Sequence, residues 1–168
     1  MAKTKAAVIK PAVIGFDEGE SLDFAGVHGL LKIGGGETGE RFAVADFPFI
    51  PPHVLAAPLH RHHREDEYTC VIEGTLGVQL GDEVVTAEAG TWVIKPRGQW
   101  HTFWNAGDTP CRTIEIVSPA GFQRYFGEVV TLGGDPSRIA ELNAKYSLDM
   151  NFDSVPELCE RFNLHFPA

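Results

Sequence analysis

From Gly26 to about Val117 the chain alternates short apolar runs with turn residues. "GVHGLLKI" and "RFAVADF" flank the glycine-rich "GGGETGE", which suits a hairpin connection or a mobile loop. "EYTCVI", "TLGVQL", "EVVTA", "WVI", "HTFWN" and "CRTIEIV" follow, each bounded by glycine, proline or a charged turn. Gly81-Asp82 supplies a tight two-residue hairpin connection, and Pro96-Arg97-Gly98 another reversal. Many short strands at close spacing predict an all-β barrel or sandwich.

After Ser118 the period changes. Phe122, Tyr125, Phe126, Val129 and Val130 fall on one face of a helix, an aromatic stripe of the kind that packs into a core. Asp135-Pro136 reads as an N-cap with proline at the first helical position, opening a helix with Ile139, Leu142 and Tyr146 inward. Ser154 and Glu157 have capping-box spacing before Leu158 and Phe162. Residues 1–168 are expected to form one domain: a β-unit over about 20–118, and two or three helices over about 119–168 packed against it.

Composition narrows the function. The chain has 168 residues, 43% hydrophobic and 22% charged, with a net charge of -9. An acidic surface argues against nucleic acid and anionic membranes as partners. The apolar runs of "MAKTKAAVIKPAVIGFDEGE" are too short for a signal peptide or a membrane span. Cys70, Cys111 and Cys159 are odd in number and far apart, as expected of reduced thiols. Together these predict a cytoplasmic protein.

The chemistry is concentrated in "PLHRHHREDEYTCVIEG". In a strand, residues i and i+2 share a face, so His60 and His62 form a two-imidazole platform while His63 points away. The chain then turns, and Glu67 offers a carboxylate from the next strand. Glu65 and Asp66 fall in the turn, where acidic residues are ordinarily solvated. The reversal at Pro96–Gly98 places His101 at the start of another strand as a fourth ligand. Three neutral imidazoles and a carboxylate suit one divalent transition ion, iron, manganese, nickel, copper or zinc, rather than the oxygen-loving Mg²⁺ or Ca²⁺. An octahedral ion so held keeps two positions for water, dioxygen or substrate.

These two stretches resemble the paired motifs of the cupins. His60, His62, Glu67 and Gly74 match H-x-H-x(3,4)-E-x(6)-G, and Gly90, Pro96, Gly98, His101 and Asn105 match G-x(5)-P-x-G-x(2)-H-x(3)-N. The resemblance implies a jelly-roll barrel with the metal inside it and His60, His62, Glu67 and His101 as ligands. The wider layout, with its strand-rich N-terminal arm, "SPAGFQRYF" and a helical tail, is similar to the quercetin-dioxygenase-like monocupins.

Parity extends the site. If Glu67 faces inward, so do Thr69 and Val71; if His101 does, so does Phe103. These three are the expected substrate pocket. Tyr68, Cys70, Ile72, Trp100 and Trp104 then lie outside the barrel, where the N-terminal arm, the helices or a second subunit must cover them. A homodimer is expected. Asn105 is expected to fix a turn. Arg112 and Glu115 lie on opposite faces of a strand; the expected role is a rim ion pair, with entry of one of them into the pocket as substrate anchor or proton acceptor the alternative. The expected function is a metal-dependent oxygenase of a small organic substrate, with Glu67 both ligand and proton acceptor. The alternatives are an isomerase, lyase or cyclase on the same metal, or a non-enzymatic small-molecule binder.

Overall fold

The computed structural model describes residue 9 and residues 11–23 and 26–167. The stretch read above as lacking a leader therefore lies partly outside the described residues. Among the described residues, eleven strands form two antiparallel sheets facing one another. The six-stranded sheet has the order β1 (Glu20–Ser21), β2 (His28–Ile33), β3 (Ala43–Ile50), β10 (Cys111–Ser118), β5 (Asp66–Glu73), β8 (Trp92–Lys95). The five-stranded sheet has the order β11 (Leu148–Asn151), β4 (Leu59–His62), β9 (His101–Asn105), β6 (Thr75–Leu80), β7 (Glu83–Glu88). This is a jelly roll with C-terminal helices: the strand spacing predicted a barrel or sandwich, and the resemblance implied the jelly roll.

One end of the barrel is filled by apolar side chains from both sheets, among them Phe47, Val71, Leu76, Val78, Ala87 and Val93. Along β5 the inward residues run Glu67, Thr69, Val71, so the polar site lies toward one end and the apolar core toward the other. Tyr68 and Cys70 on the other face of β5 are half-buried and Ile72 is exposed, as parity required.

Two turns act directly on the site. Gly98 has φ +80°, a left-handed conformation that favours glycine, and its N–H donates to the His62 carbonyl at 2.7 Å. Asn105 is fully buried; its Nδ2 donates to the carbonyls of Ile50 and Thr109, each at 2.8 Å, and its Oδ1 accepts from the Gly107 N–H at 2.9 Å. It is the turn-fixing residue expected, and holds the end of the strand that begins with His101.

Between β2 and β3, which do pair antiparallel, the glycine-rich connection contains one helical turn, α1 (Gly35–Thr38). Helix α2 (Gln123–Val129) carries the aromatic stripe and runs into a 3₁₀ turn over Val130–Leu132. In α3 (Pro136–Tyr146) Asp135 caps the N-terminus, accepting from the N–H groups of Ser137 at 2.9 Å and Arg138 at 3.4 Å. In α4 (Ser154–Phe162) the expected capping box does not form. Ser154 lies inside the first turn, where its hydroxyl donates to the Asn151 carbonyl at 2.6 Å and accepts from the Leu59 N–H at 3.0 Å, tying the helix to β4.

The C-terminal segment is also not wholly helical. Leu148–Asn151 joins the sheet as β11, pairing with β4 so that Leu148 lies opposite His62 and Met150 opposite His60. Four residues are too few for a periodic signal to stand out between two helices. Helix α4 supplies the cover expected for Trp104: the indole is buried, stacked on Phe162 at 4.5 Å between ring centroids, with Leu55 and Leu158 around it.

Candidate metal centre

Strand β4 turns His60 and His62 to the barrel interior, β5 adds Glu67 as its second residue, and β9 begins with His101 directly opposite His60. The four side chains are buried; His62 and His101 are each only 1% exposed. Each offers a ligand atom, and these atoms all lie within 4.8 Å of one another. The ring centroids are 4.3 Å apart for His60 and His101, 5.3 Å for His60 and His62, and 5.8 Å for His62 and His101.

Hydrogen bonding sets the tautomers. His60 Nδ1 lies 2.8 Å from the Pro58 carbonyl and His101 Nδ1 lies 3.0 Å from the Gln99 carbonyl. A carbonyl only accepts, so each Nδ1 carries the hydrogen, and each neutral ring turns an Nε2 lone pair inward. His101 Nε2 stands 2.9 Å from Glu67 Oε2. Lone pair against carboxylate is repulsive unless a proton or a cation lies between them. Both nitrogens of His62 are buried without any hydrogen-bond partner, and its Nε2 is 3.4 Å from Glu67 Oε1. Orphaned buried polar atoms cost about 1–3 kcal/mol each; a cation beside Glu67 would satisfy His62 Nε2 and relieve the His101–Glu67 approach together.

Charge states point the same way. Burial pushes His60 well below the usual imidazole range, and positive charge on His101 or His62 would push it further, so it is a neutral ring. Burial alone would raise Glu67, but the Lys95 ammonium beside it leads the influences that outweigh burial and hold the carboxyl well below its usual range. Three imidazoles with inward lone pairs and one ionised carboxylate fit a divalent transition ion.

Several site residues were not legible in the sequence. Lys95, 2% exposed, lies opposite Glu67 in the β5–β8 ladder, with its Nζ 3.1 Å from Glu67 Oε2 and 3.1 Å from Glu115 Oε1. Of Arg112 and Glu115, Glu115 is the one that enters the barrel, where its Oε2 accepts from the Thr69 hydroxyl at 2.7 Å. Arg112 pairs with Asp46 at 2.7 Å instead. Glu65, expected to be solvated, is buried, with Oε2 3.6 Å from His62 Nδ1 and without a hydrogen bond. A carboxylate behind a ligating ring is the usual device for orienting it. His63 and Asp66 do stand outside the cluster: His63 pairs with Asp149 at 2.8 Å and Asp66 with Arg97 at 2.7 Å.

His60, His62 and Glu67 border a cavity with about 500 Å³ of empty space, its open mouth included. Phe47, Phe103, Phe122, Tyr125 and Phe126 supply aromatic walls, Leu148 and Met150 aliphatic ones, and Glu67, Lys95 and Glu115 polar ones. Of the expected pocket residues, Phe103 lines this space. Thr69 sits behind it, bonded to Glu115, and Val71 belongs to the apolar core. The stripe on α2 is core and cavity wall at once: Phe122 packs on Tyr125 and Phe126, and also meets His62 edge to face at 4.3 Å.

Comparison with known proteins agrees with this construction. Residues 49–117 match the cupin domain family. The tetracenomycin polyketide synthase protein TcmJ of Streptomyces glaucescens is 35% identical over 72 residues, 43% of this chain and 48% of that protein. The match thus spans about half the length of the curated relative. KdgF from Halomonas sp. shares the fold with a TM-score of 0.56 at 17% identity, over 67% of this chain and 96% of that one. Oxalate decarboxylase from Bacillus subtilis does so with a TM-score of 0.52 at 19% identity, over 60% of this chain and 28% of that one. The four candidate ligand residues all lie inside the stretch, residues 49–117, that matches the cupin domain family.

Proposed function

We propose that the protein is a metal-dependent oxygenase acting on a small phenolic or enolisable molecule. The observation that carries this reading is the convergence of three inward imidazole lone pairs and one carboxylate beside an aromatic-walled cavity. A redox-active divalent ion held by His60, His62, Glu67 and His101 would supply Lewis acidity toward a substrate oxygen and one-electron chemistry with dioxygen. The aromatic rings favour a flat substrate and exclude water, which strengthens every charge interaction inside. Glu67, kept ionised by Lys95, accepts the substrate's O–H or C–H proton on a carboxylate oxygen. The relative TcmJ is named for a polyketide synthase, and polyketides are by their chemistry rich in enolisable carbonyls.

A second reading uses the same ion without dioxygen, as an isomerase, lyase or cyclase. The buried Glu115 favours it: burial raises its carboxyl above the usual range and Glu67's charge raises it further, against Lys95, which makes it a candidate proton donor close to Glu67. Oxygen uptake by metal-loaded protein, measured with a panel of phenols and 1,3-dicarbonyls, decides between them. The first reading expects turnover in air only; equal turnover under argon establishes the second. Binding without turnover in either atmosphere makes the protein a non-enzymatic binder.

The proposal includes a homodimer in a reducing, cytoplasmic setting. All three cysteines are free, and no helix among the described residues is long and apolar enough to cross a membrane. Trp92 and Ile94 on the edge strand β8 are 56% and 59% exposed, with Ile72 beside them on β5, a face suited to a second copy.

A further inference from the structure

We infer that Lys95 is a second anchoring point of the cavity, which selects substrates carrying one negative charge in the form of a carboxylate, phenolate or enolate oxygen. The inference rests on the metal-site reading proposed above and adds to it the charge of the molecule that site accepts.

The argument begins with where the lysine stands. Lys95 is the inward residue at the end of β8, and its side chain is enclosed by the barrel. Its ammonium has three N–H donors. Two face carboxylates, Glu67 and Glu115, at 3.1 Å each. The third has the face of Phe103, with Nζ 5.0 Å from the ring centroid, and Phe103 is itself a cavity wall. Lys95 and Glu115 both line the cavity, so an oxyanion entering it meets the ammonium without any rearrangement of the backbone.

Charge counting then sets the ligand. Glu67 and Glu115 are two negative charges and Lys95 one positive charge, with the three imidazoles neutral. A divalent ion turns this deficit of one into a surplus of one positive charge. Proton uptake by Glu115 would only enlarge the surplus. Glu65 is not among the residues that line the cavity: it lies behind His62, with Oε2 3.6 Å from His62 Nδ1, and borders a separate surface pocket. An uncompensated charge in an apolar, aromatic-walled space is costly, and one anionic oxygen on the substrate removes that cost. A neutral substrate would leave it in place.

Glu115 has a defined part in this. It shares the ammonium with Glu67 and is itself held by the Thr69 hydroxyl, so it keeps the lysine charged and fixed while the cavity is empty. It also competes with an incoming anion for the same N–H groups. Removing its charge therefore tightens anion binding, whereas removing the lysine weakens it. A purely structural ion pair would show neither asymmetry.

The test uses full-length protein loaded with Co²⁺ and two probes of nearly equal shape, benzoate and benzamide, with binding followed by calorimetry and by the cobalt absorption bands. The wild type binds benzoate. Lys95→Met weakens benzoate at least tenfold and leaves benzamide within twofold, because a charge-assisted hydrogen bond is lost while the apolar contacts remain. Glu115→Gln tightens benzoate severalfold and serves as the second variant should Lys95→Met fold poorly. Equal loss of both probes in Lys95→Met, no loss of either, a wild type that binds no benzoate, or weaker benzoate binding in Glu115→Gln overturns the inference. Failure of the wild type to take up Co²⁺ at all overturns the metal site instead, and with it both readings.

Discussion

The ring of Phe122 meets the ring of His62 edge to face, with centroids 4.3 Å apart and an interplanar angle of 89°. A residue on the C-terminal side of the barrel therefore packs directly on a candidate metal ligand. Phe122→Ala removes this contact and those to Tyr125 and Phe126, and should cost about 3 kcal/mol of stability. Phe122→Leu, which keeps most of the volume, should cost about 1 kcal/mol. Neither variant loses a ligand, so both should still take up one ion per chain. Urea denaturation and elemental analysis measure the two effects; unchanged denaturation midpoints would show that the ring does not hold the tail to the barrel.

The ion itself is the next expectation. The buried nitrogens of His62 have no hydrogen-bond partner, and His101 Nε2 stands against a carboxylate. Adding Zn²⁺, Ni²⁺ or Mn²⁺ at a hundredfold excess over its Kd should stabilise the fold by about 2.7 kcal/mol, a rise in Tm of about 5–10 °C for a chain of this size. His62→Ala and His101→Ala should abolish the rise and bind less than a tenth of an ion per chain. A thermal shift of wild-type size in either variant would place the ion elsewhere.

The convergence of the four candidate ligands was readable because their spacing distributes them over three strands and one face: His60 and His62 by parity, Glu67 after a short turn, His101 after Pro96–Gly98. The second layer was not, for separate physical reasons. Lys95 sits in "TWVIK", where Trp92 and Ile94 point out and Val93 points in, so there is no polar–apolar alternation to assign a side. Glu115 was assignable to one of two faces, but only the β5–β10 register, which sets it opposite Thr69, brings it to Lys95. Glu65 looked like any acidic turn residue; its burial depends on the packing of the turn after β4, which no local pattern encodes. Helical periodicity found Phe122, Tyr125 and Phe126, yet period alone does not say which surface a helix covers. The same holds for Gly77, inside an ordinary strand pattern, where an added Cβ would meet the Trp104 indole at 2.2 Å.

Assembly is tested at β8. Trp92 and Ile94 form an exposed apolar pair on an edge strand, a surface prone to pairing unless covered. The wild type should sediment as a dimer at micromolar concentration, and Trp92→Lys with Ile94→Lys should yield a folded monomer with its metal site intact. Sedimentation equilibrium of both proteins decides. A wild-type monomer ends the proposal, and a dimer that survives both lysines moves the interface to another face.

Cys111 provides a pH expectation away from the metal. It is fully buried at the start of β10, and burial pushes its thiol from 9.0 up to about 11. The unfolded thiol therefore ionises first as pH rises. Between pH 9 and 11 the unfolded state has lost a proton that the folded state keeps, so stability falls with increasing pH across this window and is unaffected below it. Two units correspond to a loss of at most about 2.7 kcal/mol. Cys111→Ala lowers stability at pH 8 through the lost packing but should lack this alkaline increment, so the gap between the two proteins narrows as pH rises from 9 to 11. Native Cys111 should likewise resist iodoacetamide at pH 8, while the half-buried Cys70 reacts. Urea titrations at several pH values, with mass spectrometry of the alkylated protein, test both points; a constant stability gap or rapid labelling of Cys111 would show that the thiol is not held neutral by burial.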